Sequence, residues 1–330
     1  MDSQVKPNVT VAVLTYRRPT DLAAILPALA AQLASAADMV GDSRILVVDN
    51  SPEGDAEPAV SAFAADNPWS VRVDYENEKR PGIPAARNRA LDAARASDVL
   101  VFIDDDERPM AGWLTHLLHA RADRQASAVV GPVISEFAID PPEWIAAGRF
   151  FERRRLPTGT ILTVAATNNL LVDVAPIRSA ALRFDEKMGM NGGDDTLFTR
   201  QLAGLGRMVW CDEAVVIDVV PEARISRRWV IRRALRSGNS WSLTSIRLAP
   251  TPLARLASRV RATGDGLVRI VGGAGLAASG VVTGRLGQRA RGTRTCARGI
   301  GMVLGAVGLS YLEYARPAAK GARRIERARA

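Results

Sequence analysis

Short apolar runs alternate with longer stretches of helical periodicity along the first two thirds of the chain. Runs at 9–14, 44–48 and 99–103 are rich in β-branched residues and too short for helices, so each predicts a strand that is buried on both faces. Segments of about 10–15 residues with helical spacing separate these strands. The alternation favours an α/β fold with a mostly parallel, doubly wound sheet.

Later segments continue this pattern and then change it. The sequence predicts an amphipathic helix over 112–124 and strands over 128–133 and 161–172. We expect Thr20 to cap the helix after the first strand, because its hydroxyl can accept a hydrogen bond from the first turn. From Ser226 onward the sequence is helical in pattern and rich in arginine, which indicates a helical extension.

The formal net charge of +9 is distributed unevenly along the 330 residues. From Arg224 onward there are 22 Lys and Arg residues against three acids, whereas the preceding part carries 22 against 32. This difference, together with the change in periodicity, predicts a main α/β domain over 1–224 and a basic helical extension over 225–330.

Cysteine usage and the apolar runs indicate a cytoplasmic chain. Cys211 and Cys296 are far apart in sequence and do not form a disulfide framework. The first residues show no basic segment followed by an apolar one, so nothing marks the chain for secretion. No uninterrupted apolar run reaches the roughly 18–20 residues of a membrane-spanning helix, although 270–284 and 299–312 come closest.

Four carboxylates follow the run at 99–103 and fall where that strand leaves the sheet. Ligands of open α/β sheets bind at this edge, and clustered carboxylates there repel one another unless a cation lies between them. Asp104 and Asp106 are expected to face one cleft, with Asp105 pointing elsewhere. Their hard oxygens suit Mg²⁺ or Mn²⁺, which also bind phosphate oxygens, so a phosphorylated substrate is implied. A solvated acidic turn is the alternative.

Two further acidic sites occur at a strand end and at a helix start. Asp49 follows the run at 44–48, and Asp194 and Asp195 follow a glycine-rich segment. Only one of Asp194 and Asp195 is expected to face a cleft, where the helix dipole would keep it ionised as a proton acceptor. Structural alternatives exist for both sites, because Asp49 could form an Asx turn and Asp194 could simply favour a helix N-terminus.

Several other chemistries lack support in the sequence. His116 and His119 are the only histidines, and a surface helix explains them better than zinc binding. A dinucleotide-binding Gly-x-Gly-x-x-Gly and a P-loop are both absent. The glycines of segment 272–275 are expected to serve helix packing.

Five motifs occur in an order that resembles family 2 inverting glycosyltransferases with the GT-A fold. They are Thr15-Tyr16-Arg17-Arg18-Pro19, Val47-Val48-Asp49-Asn50-Ser51, Gly82 to Asn88, Phe102 to Glu107, and Gly192-Gly193-Asp194-Asp195-Thr196. Further similarity is to the ExoM-like subgroup of exopolysaccharide transferases, through Pro142-Glu143-Trp144, Val220 to Arg224, Trp229 and Arg236-Ser237-Gly238. The resemblance covers roughly residues 8–245.

This resemblance implies a donor-binding half over about 8–107 and an acceptor half over about 108–224. Donor-binding residues carried over from the family are Thr15, Arg17, Asp49, Arg87, Asp104 and Asp105. Asp49 would accept from the N3–H of a uracil or thymine, and Asp104 would meet the ribose. Asp106, with Asp104, would bind the metal that bridges the diphosphate.

The same resemblance assigns the catalytic base. Asp195 aligns with the usual base, and Asp194 replaces a glutamate of the family. The ExoM-like subgroup tends to carry a histidine where this chain has Ile217 with Asp218 beside it, which leaves a third protein ligand of the metal open.

The implied activity is transfer of a hexose from a UDP-sugar, with UDP-glucose as the first candidate, to a saccharide or lipid-linked acceptor. This would serve exopolysaccharide or cell-envelope glycan synthesis by a metal-assisted single displacement. A sugar nucleotidyltransferase is an alternative, but it would need a glycine-rich loop after the first strand, and 15–20 contains no glycine. A non-catalytic membrane-associated binding protein is the other alternative, and it would not need the acidic sites to converge.

The basic extension could face a membrane, a nucleic acid or the rest of the protein. Nucleic-acid binding would favour aromatic residues among the cations, and the extension has few. Apolar segments instead alternate with arginines, which is typical of helices that lie on an anionic bilayer. We therefore expect peripheral attachment to the cytoplasmic face of the inner or plasma membrane, with a basic helical cap as the alternative.

Overall fold

The computed structural model describes residues 6–188, 192–310 and 326–327. The strands in this part of the chain are β1 (Val9–Thr15), β2 (Ser43–Asp49), β3 (Arg72–Asn77), β4 (Val99–Asp104), β5 (Glu107–Pro109), β6 (Ala128–Val130), β7 (Val133–Phe137), β8 (Ile161–Leu162), β9 (Asn169–Asp173), β10 (Met208–Trp210), β11 (Val216–Val220), β12 (Leu309–Ser310) and β13 (Glu326–Arg327).

The helices in the same ranges form most of the later part of the chain. They are α1 (Pro19–Ser35), α2 (Glu57–Ala65), α3 (Ile83–Ala93), α4 (Trp113–Asp123), α5 (Glu143–Gly148), α6 (Val174–Ser179), α7 (Asp194–Leu202), α8 (Arg227–Arg247), α9 (Pro252–Val282) and α10 (Leu286–Ala306). Short 3₁₀ turns occur at Ala94–Ala96, Glu186–Met188 and Glu222–Arg224.

The chain forms two compact units. The first comprises the described residues up to Glu136 together with Arg153–Glu186 and Phe198–Val219. The second comprises Phe137–Glu152, Lys187–Leu197 and the described residues from Val220 onward. The segments Phe137–Glu152 and Lys187–Leu197 therefore belong to the same unit as the basic extension. No local sequence pattern indicates this grouping.

An eight-stranded sheet forms the centre of the first unit, in the order β3-β2-β1-β4-β9-β6-β10-β8. The pairs β1–β2, β2–β3, β1–β4 and β6–β10 are parallel, whereas both neighbours of β9 and the β8–β10 pair are antiparallel. The predicted mostly parallel sheet is confirmed. Parallel neighbours matter for function because their carboxyl ends lie at one edge.

Helices cover both faces of this sheet, as doubly wound topology requires. Alternate residues of β1 belong to different apolar clusters: Val11 packs in a cluster with α1 and α4, and Ala12 packs in another with α3, α6 and α7. Since successive side chains of a strand point to opposite faces, continuous apolar strands such as β4 are buried on both sides.

Three local predictions are wrong. The single strand expected over 128–133 is interrupted at Gly131-Pro132, which separate β6 from β7. Helix α1 begins at Pro19 with Arg18 at the N-cap position, so Thr20 lies inside the first turn; proline is well suited to the first helical position. The single strand expected over 161–172 is two strands, β8 and β9. Between them, the Thr199 hydroxyl bonds both the backbone N–H and the carbonyl of Ala165, which takes this segment out of the sheet ladder.

Helices α9 and α10 of the second unit pack backbone against backbone through glycines. A Cβ on Gly273 would lie 2.5 Å from the backbone nitrogen of Cys296, and one on Gly299 would lie 2.6 Å from the carbonyl oxygen of Gly266. In contrast, a Cβ on Gly272 or Gly275 would meet nothing within 4 Å. The packing role expected for segment 272–275 therefore belongs to Gly273, and the other two glycines face outward.

We predict that Gly273→Ala lowers the free energy of unfolding by about 1–3 kcal/mol, because the added methyl group forces α9 and α10 apart. The neighbouring Gly272→Ala is the matched control and should be neutral or stabilising by up to about 1 kcal/mol, since alanine favours an exposed helix. Thermal unfolding followed by circular dichroism measures both. Equal effects of the two substitutions would contradict the close packing.

Candidate active site

The register of the parallel strands brings three polar residues to one edge of the sheet in the first unit. Thr15 at the end of β1 is the register partner of Asp49 at the end of β2, and Leu14 is the partner of Asp104 at the end of β4. Burial of the apolar strands fixes this register, because a slip of one residue would turn every core side chain to the other face. Thr15, Asp49 and Asp104 therefore lie along a common rim.

Residues 105–106 form a turn between β4 and β5. The Thr15 hydroxyl donates to Asp105 at 2.8 Å, and one Arg18 nitrogen donates to Asp105 at 3.1 Å and to Asp106 at 2.8 Å. Asp105 and Asp106 thus share one guanidinium, and the expectation that Asp105 points elsewhere is wrong. Strand alternation ends at Asp104, so it does not govern the two residues of the turn.

Arg18 is a residue of this site that sequence reasoning missed. Its neighbour Arg17 was the expected donor-binding residue, but the Arg17 side chain is half exposed and pairs with Glu53 at 3.0 Å. Arg17 adopts a φ of 56°, which turns the backbone between β1 and α1. The adjacent arginines at 17 and 18 indicated that one of them could bind carboxylates. Only the backbone geometry decides which of the two does so.

Electrostatics at the end of β4 are dominated by buried acids. Burial raises the pKa of Asp104 to about 6, the Arg87 guanidinium opposes the rise, and neighbouring carboxylates, including Asp218, add to it. Burial also raises the pKa of Glu107 well above its ordinary value, and the adjacent Asp104 raises it further. A positive charge close to this cluster would relieve both effects.

Glu107 organises the first part of β5. It accepts hydrogen bonds from the Asn168 side chain at 2.6 Å and from the backbone N–H of Asp104 at 3.3 Å. A separate three-stranded sheet has the order β5-β11-β7. In it, Glu107 is the register partner of Asp218 on β11, and Asp218 forms an ion pair with Arg153. These residues contact the segment that contains the acidic turn. Their contacts depend on pairing between distant segments, which the sequence does not predict.

Asp49 makes the contacts of an Asx turn in this structure. Its carboxylate accepts from the backbone N–H groups of Ser51 at 2.8 Å and Ala56 at 3.0 Å, and from the Tyr75 hydroxyl at 3.0 Å. Its side chain is fully buried. The Asx turn that was the alternative for Asp49 is thus formed in this structure. Binding of Asp49 to a nucleotide base stays a prediction.

The residue after Asp49 connects this rim to helix α3. The Asn50 side chain donates to the carbonyls of Glu78 and Arg80 and accepts from the N–H of Gly82, which precedes α3. Gly82 has a φ of 112°, a conformation that favours glycine. Helix α3 carries the buried Arg87, whose guanidinium lies over the Phe184 ring and is close enough to influence Asp104.

The donor set at this rim fits a divalent cation that shares its coordination with a phosphate. Asp104 and Asp106 supply hard carboxylate oxygens, the type that Mg²⁺ and Mn²⁺ prefer. Within the described ranges, no three His, Cys, Asp or Glu side chains are grouped closely enough to hold a metal by themselves. Two protein carboxylates with phosphate oxygens and water are therefore the coordination that the residues allow.

Asp194 and Asp195 open helix α7 in the second unit. Asp194 is buried, whereas Asp195 is partly exposed. The preceding Gly193 has a φ of 99°, and a Cβ there would lie 3.0 Å from Ser240 and 3.2 Å from Thr244 on α8. Helix α8 therefore holds the start of α7 in place. The remainder of the glycine-rich approach, 189–191, lies outside the described residues.

Solved structures share this architecture. Mannosyltransferase PcManGT from Pyrobaculum calidifontis, in complex with GDP-Man and Mn²⁺, has a TM-score of 0.62 at 19% identity, covering 92% of this chain and 88% of that chain. S. aureus TarS 1–349 has a TM-score of 0.52 at 13% identity, covering 89% of this chain and 90% of that chain. The predicted GT-A fold is confirmed.

The chain belongs to glycosyl transferase family 2, whose family model matches residues 10–177. It is 34% identical over 238 residues to succinoglycan biosynthesis protein ExoM of Rhizobium meliloti, covering 71% of this chain and 74% of that protein. It is also 27% identical over 205 residues to pre-mycofactocin glycosyltransferase of Mycobacterium tuberculosis, covering 60% of this chain and 41% of that protein. The predicted likeness to the ExoM-like subgroup is confirmed.

We predict that Asp104→Asn raises the melting temperature of the metal-free protein at neutral pH and has little effect below about pH 4. The pKa of Asp104 is raised from 3.8 to about 6, so the folded state binds this proton more tightly than the unfolded state does. The bound proton therefore stabilises the folded state fully at low pH, and this stabilisation is lost as pH rises through about 6. The ionised group then costs about 1–3 kcal/mol.

Asp74→Asn on β3 is the control for this experiment, because ion pairs with Arg44 and Arg72 overcome the effect of burial and lower the pKa of Asp74. This substitution should destabilise the protein at neutral pH, which is the opposite sign. A melting-temperature difference for Asp104→Asn that stays the same from low to neutral pH would contradict the electrostatic account.

Proposed function

We propose that the protein is an inverting hexosyltransferase that uses a UDP-sugar, with UDP-glucose as the first candidate, to extend a saccharide or lipid-linked acceptor. The product would be an exopolysaccharide or another cell-envelope glycan. The observation that carries the proposal is the rim formed by Thr15, Asp49 and the acidic turn at 104–106 in a family 2 glycosyltransferase. Similarity to ExoM, which is a succinoglycan biosynthesis protein, supports the product class.

Donor binding is assigned to the rim of the first unit. Asp49 would accept from the N3–H of the uracil, and Thr15 lies beside it at the end of β1. Asp104 would accept from a ribose hydroxyl. Arg87 supplies a buried positive charge close to Asp104 and would face a donor phosphate. The TarS structure in complex with UDP has the same fold, which supports a uridine donor.

Asp106, with Asp104, would hold Mg²⁺ or Mn²⁺. When bound, the cation neutralises charge on the departing diphosphate, a contribution of several kcal/mol. The PcManGT structure contains Mn²⁺ with its nucleotide sugar, which supports a divalent ion. Arg18 donates to Asp105 and Asp106 and so orients both carboxylates.

Asp195 is assigned as the catalytic base. It is partly exposed at the first turn of α7, where it can reach an acceptor hydroxyl. It would take the proton from an acceptor hydroxyl as that oxygen attacks the anomeric carbon. The bond between the anomeric carbon and the oxygen of the donor diphosphate would break on the opposite face, so that the nucleoside diphosphate leaves and the configuration of the sugar inverts. Asp194 is buried and is assigned a positioning role.

The predicted extension over 225–330 would attach the enzyme to the cytoplasmic face of the membrane, where a lipid-linked acceptor is exposed. The excess of 22 cations over three acids from Arg224 onward supports attraction to anionic lipids. No nucleic acid is proposed as a partner, because aromatic residues that could stack on bases are few among these cations.

Asp195→Asn is expected to lower the rate of sugar transfer by about 10²- to 10⁴-fold, because the amide cannot accept the acceptor proton. Donor affinity, measured by calorimetry with UDP and Mn²⁺, should stay within about twofold. Asp194→Asn is the matched control and should retain more activity than Asp195→Asn. If Asp195→Asn turns over at nearly the normal rate, the base is another residue.

Asp106→Ala is expected to weaken Mn²⁺-dependent UDP binding by about 10- to 100-fold, because one of two protein ligands to the cation is lost. Binding of UDP in the presence of a chelator should change little. Asp74→Asn, which removes a carboxylate of β3 that pairs with Arg44 and Arg72, serves as the control. Equal losses with and without Mn²⁺ would argue against a metal role for Asp106.

A panel of nucleotide sugars tests the proposed donor directly. Metal-dependent hydrolysis or protection against thermal unfolding should be strongest with UDP-sugars, and UDP-glucose should rank first among them. A response to UTP with a sugar 1-phosphate, and none to any nucleotide sugar, would favour the nucleotidyltransferase alternative. No response to any nucleotide would contradict an enzymatic role for the rim.

A further inference from the structure

Helix α9 exposes large apolar side chains along its whole length. We define the α9 stripe as six of these residues, which recur at helical spacings of three, four, seven and eleven and are between 52% and 86% exposed: Leu253, Leu256, Val260, Leu267, Val271 and Val282. The residues between them at the same spacing, Gly264 and Ala278, are also exposed and uncharged. At 31 residues α9 is about 45 Å long, so the stripe is a continuous apolar surface.

The opposite face of α9 is occupied by α10. Gly266, Gly273 and Gly280 recur every seven residues and lie against the α10 backbone. Arg259 donates to the carbonyl of Ala306 at the end of α10, so this charged side chain of α9 lies toward α10 and away from the stripe. Helix α9 is therefore apolar on one side only, and close glycine packing holds the other side rigidly.

We propose that the α9 stripe lies in the surface of an anionic lipid bilayer, with α9 parallel to the membrane plane. This inference deepens the proposed function and rests on it for the acceptor, since a lipid-linked saccharide is presented at such a surface. A one-sided apolar helix with cations beside it is the arrangement that inserts into the boundary between headgroups and acyl chains.

The positive charge around the α9 stripe favours an anionic bilayer as its partner over a second copy of the chain. Residues 252–306 contain nine arginines and one acid, Asp265. Six of these arginines are exposed: Arg255, Arg261, Arg285, Arg289, Arg291 and Arg294. Two copies joined at the stripe would bring these cations together, whereas anionic headgroups attract them.

The distribution of polar residues favours lying on the membrane over crossing it. Among the helices in the described ranges, α9 alone has the length and average composition to cross a bilayer. Its segment 252–269, however, carries four arginines and Asp265, and a helix that crossed the bilayer along its whole length would place some of these in the hydrocarbon core. A helix in the membrane plane keeps them at headgroup level while the stripe is buried.

Flotation of the full chain with lipid vesicles tests this surface. Vesicles of phosphatidylcholine mixed with phosphatidylglycerol should bind the protein at least tenfold more strongly than phosphatidylcholine alone, and added salt should weaken binding. Leu267→Glu with Val271→Glu should reduce binding by at least about tenfold, because two apolar contacts are replaced by charges that anionic lipid repels.

Gly272→Glu with Ser279→Glu is the matched control, because it adds the same charge to α9 outside the stripe. Both positions are exposed, and a Cβ on Gly272 would meet nothing within 4 Å. This control should lose no more than about a third of the binding energy lost by the stripe variant, and circular dichroism should show equal helix content in both. Equal losses would mean that overall charge, and not the stripe, contacts lipid.

Three other results would overturn the inference. The first is failure of the normal chain to float with anionic vesicles. The second is a lipid-free dimer, seen by sedimentation, that the stripe variant converts to a monomer. The third is resistance of the membrane-bound protein to alkaline carbonate, which would show that α9 crosses the bilayer.

Hydrolysis of the UDP-sugar without lipid separates this inference from the proposed function. The stripe variant should hydrolyse the donor at the normal rate, since its substitutions are on an exposed face of α9. A chain that hydrolyses the donor but does not float would refute the membrane surface alone. A chain that floats but acts on no nucleotide sugar would refute the proposed function alone.

Discussion

Repulsion among the carboxylates that follow β4 is the constraint on which the rest of the first unit depends. Burial and mutual repulsion hold the pKa of Asp104 and Glu107 above their ordinary values, which is costly at neutral pH unless cations lie close by. Arg87 from α3 opposes the rise at Asp104, and Arg18 from the loop before α1 pairs with Asp105 and Asp106. Arginines from two separate parts of the chain thus lie beside the acidic turn.

Glycine residues have a structural role in both units, but the role differs between them. At the rim of the first unit, Gly82 adopts a left-handed conformation that lets Asn50 hold the start of α3. In the second unit, Gly273 and Gly299 allow the α9 and α10 backbones to approach closely. One use orients a charge toward a ligand-binding edge. The other fixes a helix so that its outer face is free to contact another surface.

Much of the first unit could be read from local patterns. Continuous apolar strands predicted the sheet, and acids after those strands predicted the functional edge, because both signals are contained in a few neighbouring residues. Predictions that needed the path of the backbone were less accurate. The direction of the Asp105 side chain depended on a turn that ends strand alternation. The break between β8 and β9 depended on a hydrogen bond that the Thr199 hydroxyl accepts from the backbone N–H of Ala165.

The sequence by itself determined the fold class, the family and the residue types at the rim, since hydrophobic periodicity and ordered motifs do not require distant contacts to be known. Only the tertiary structure decided that Arg18 and not Arg17 meets the acidic turn, that Asp49 is tied into its own loop, and that Gly273 and not Gly272 packs against α10. Each of these choices is between residues with the same chemistry at neighbouring positions. Orientation in three dimensions separates such residues, and composition and spacing cannot.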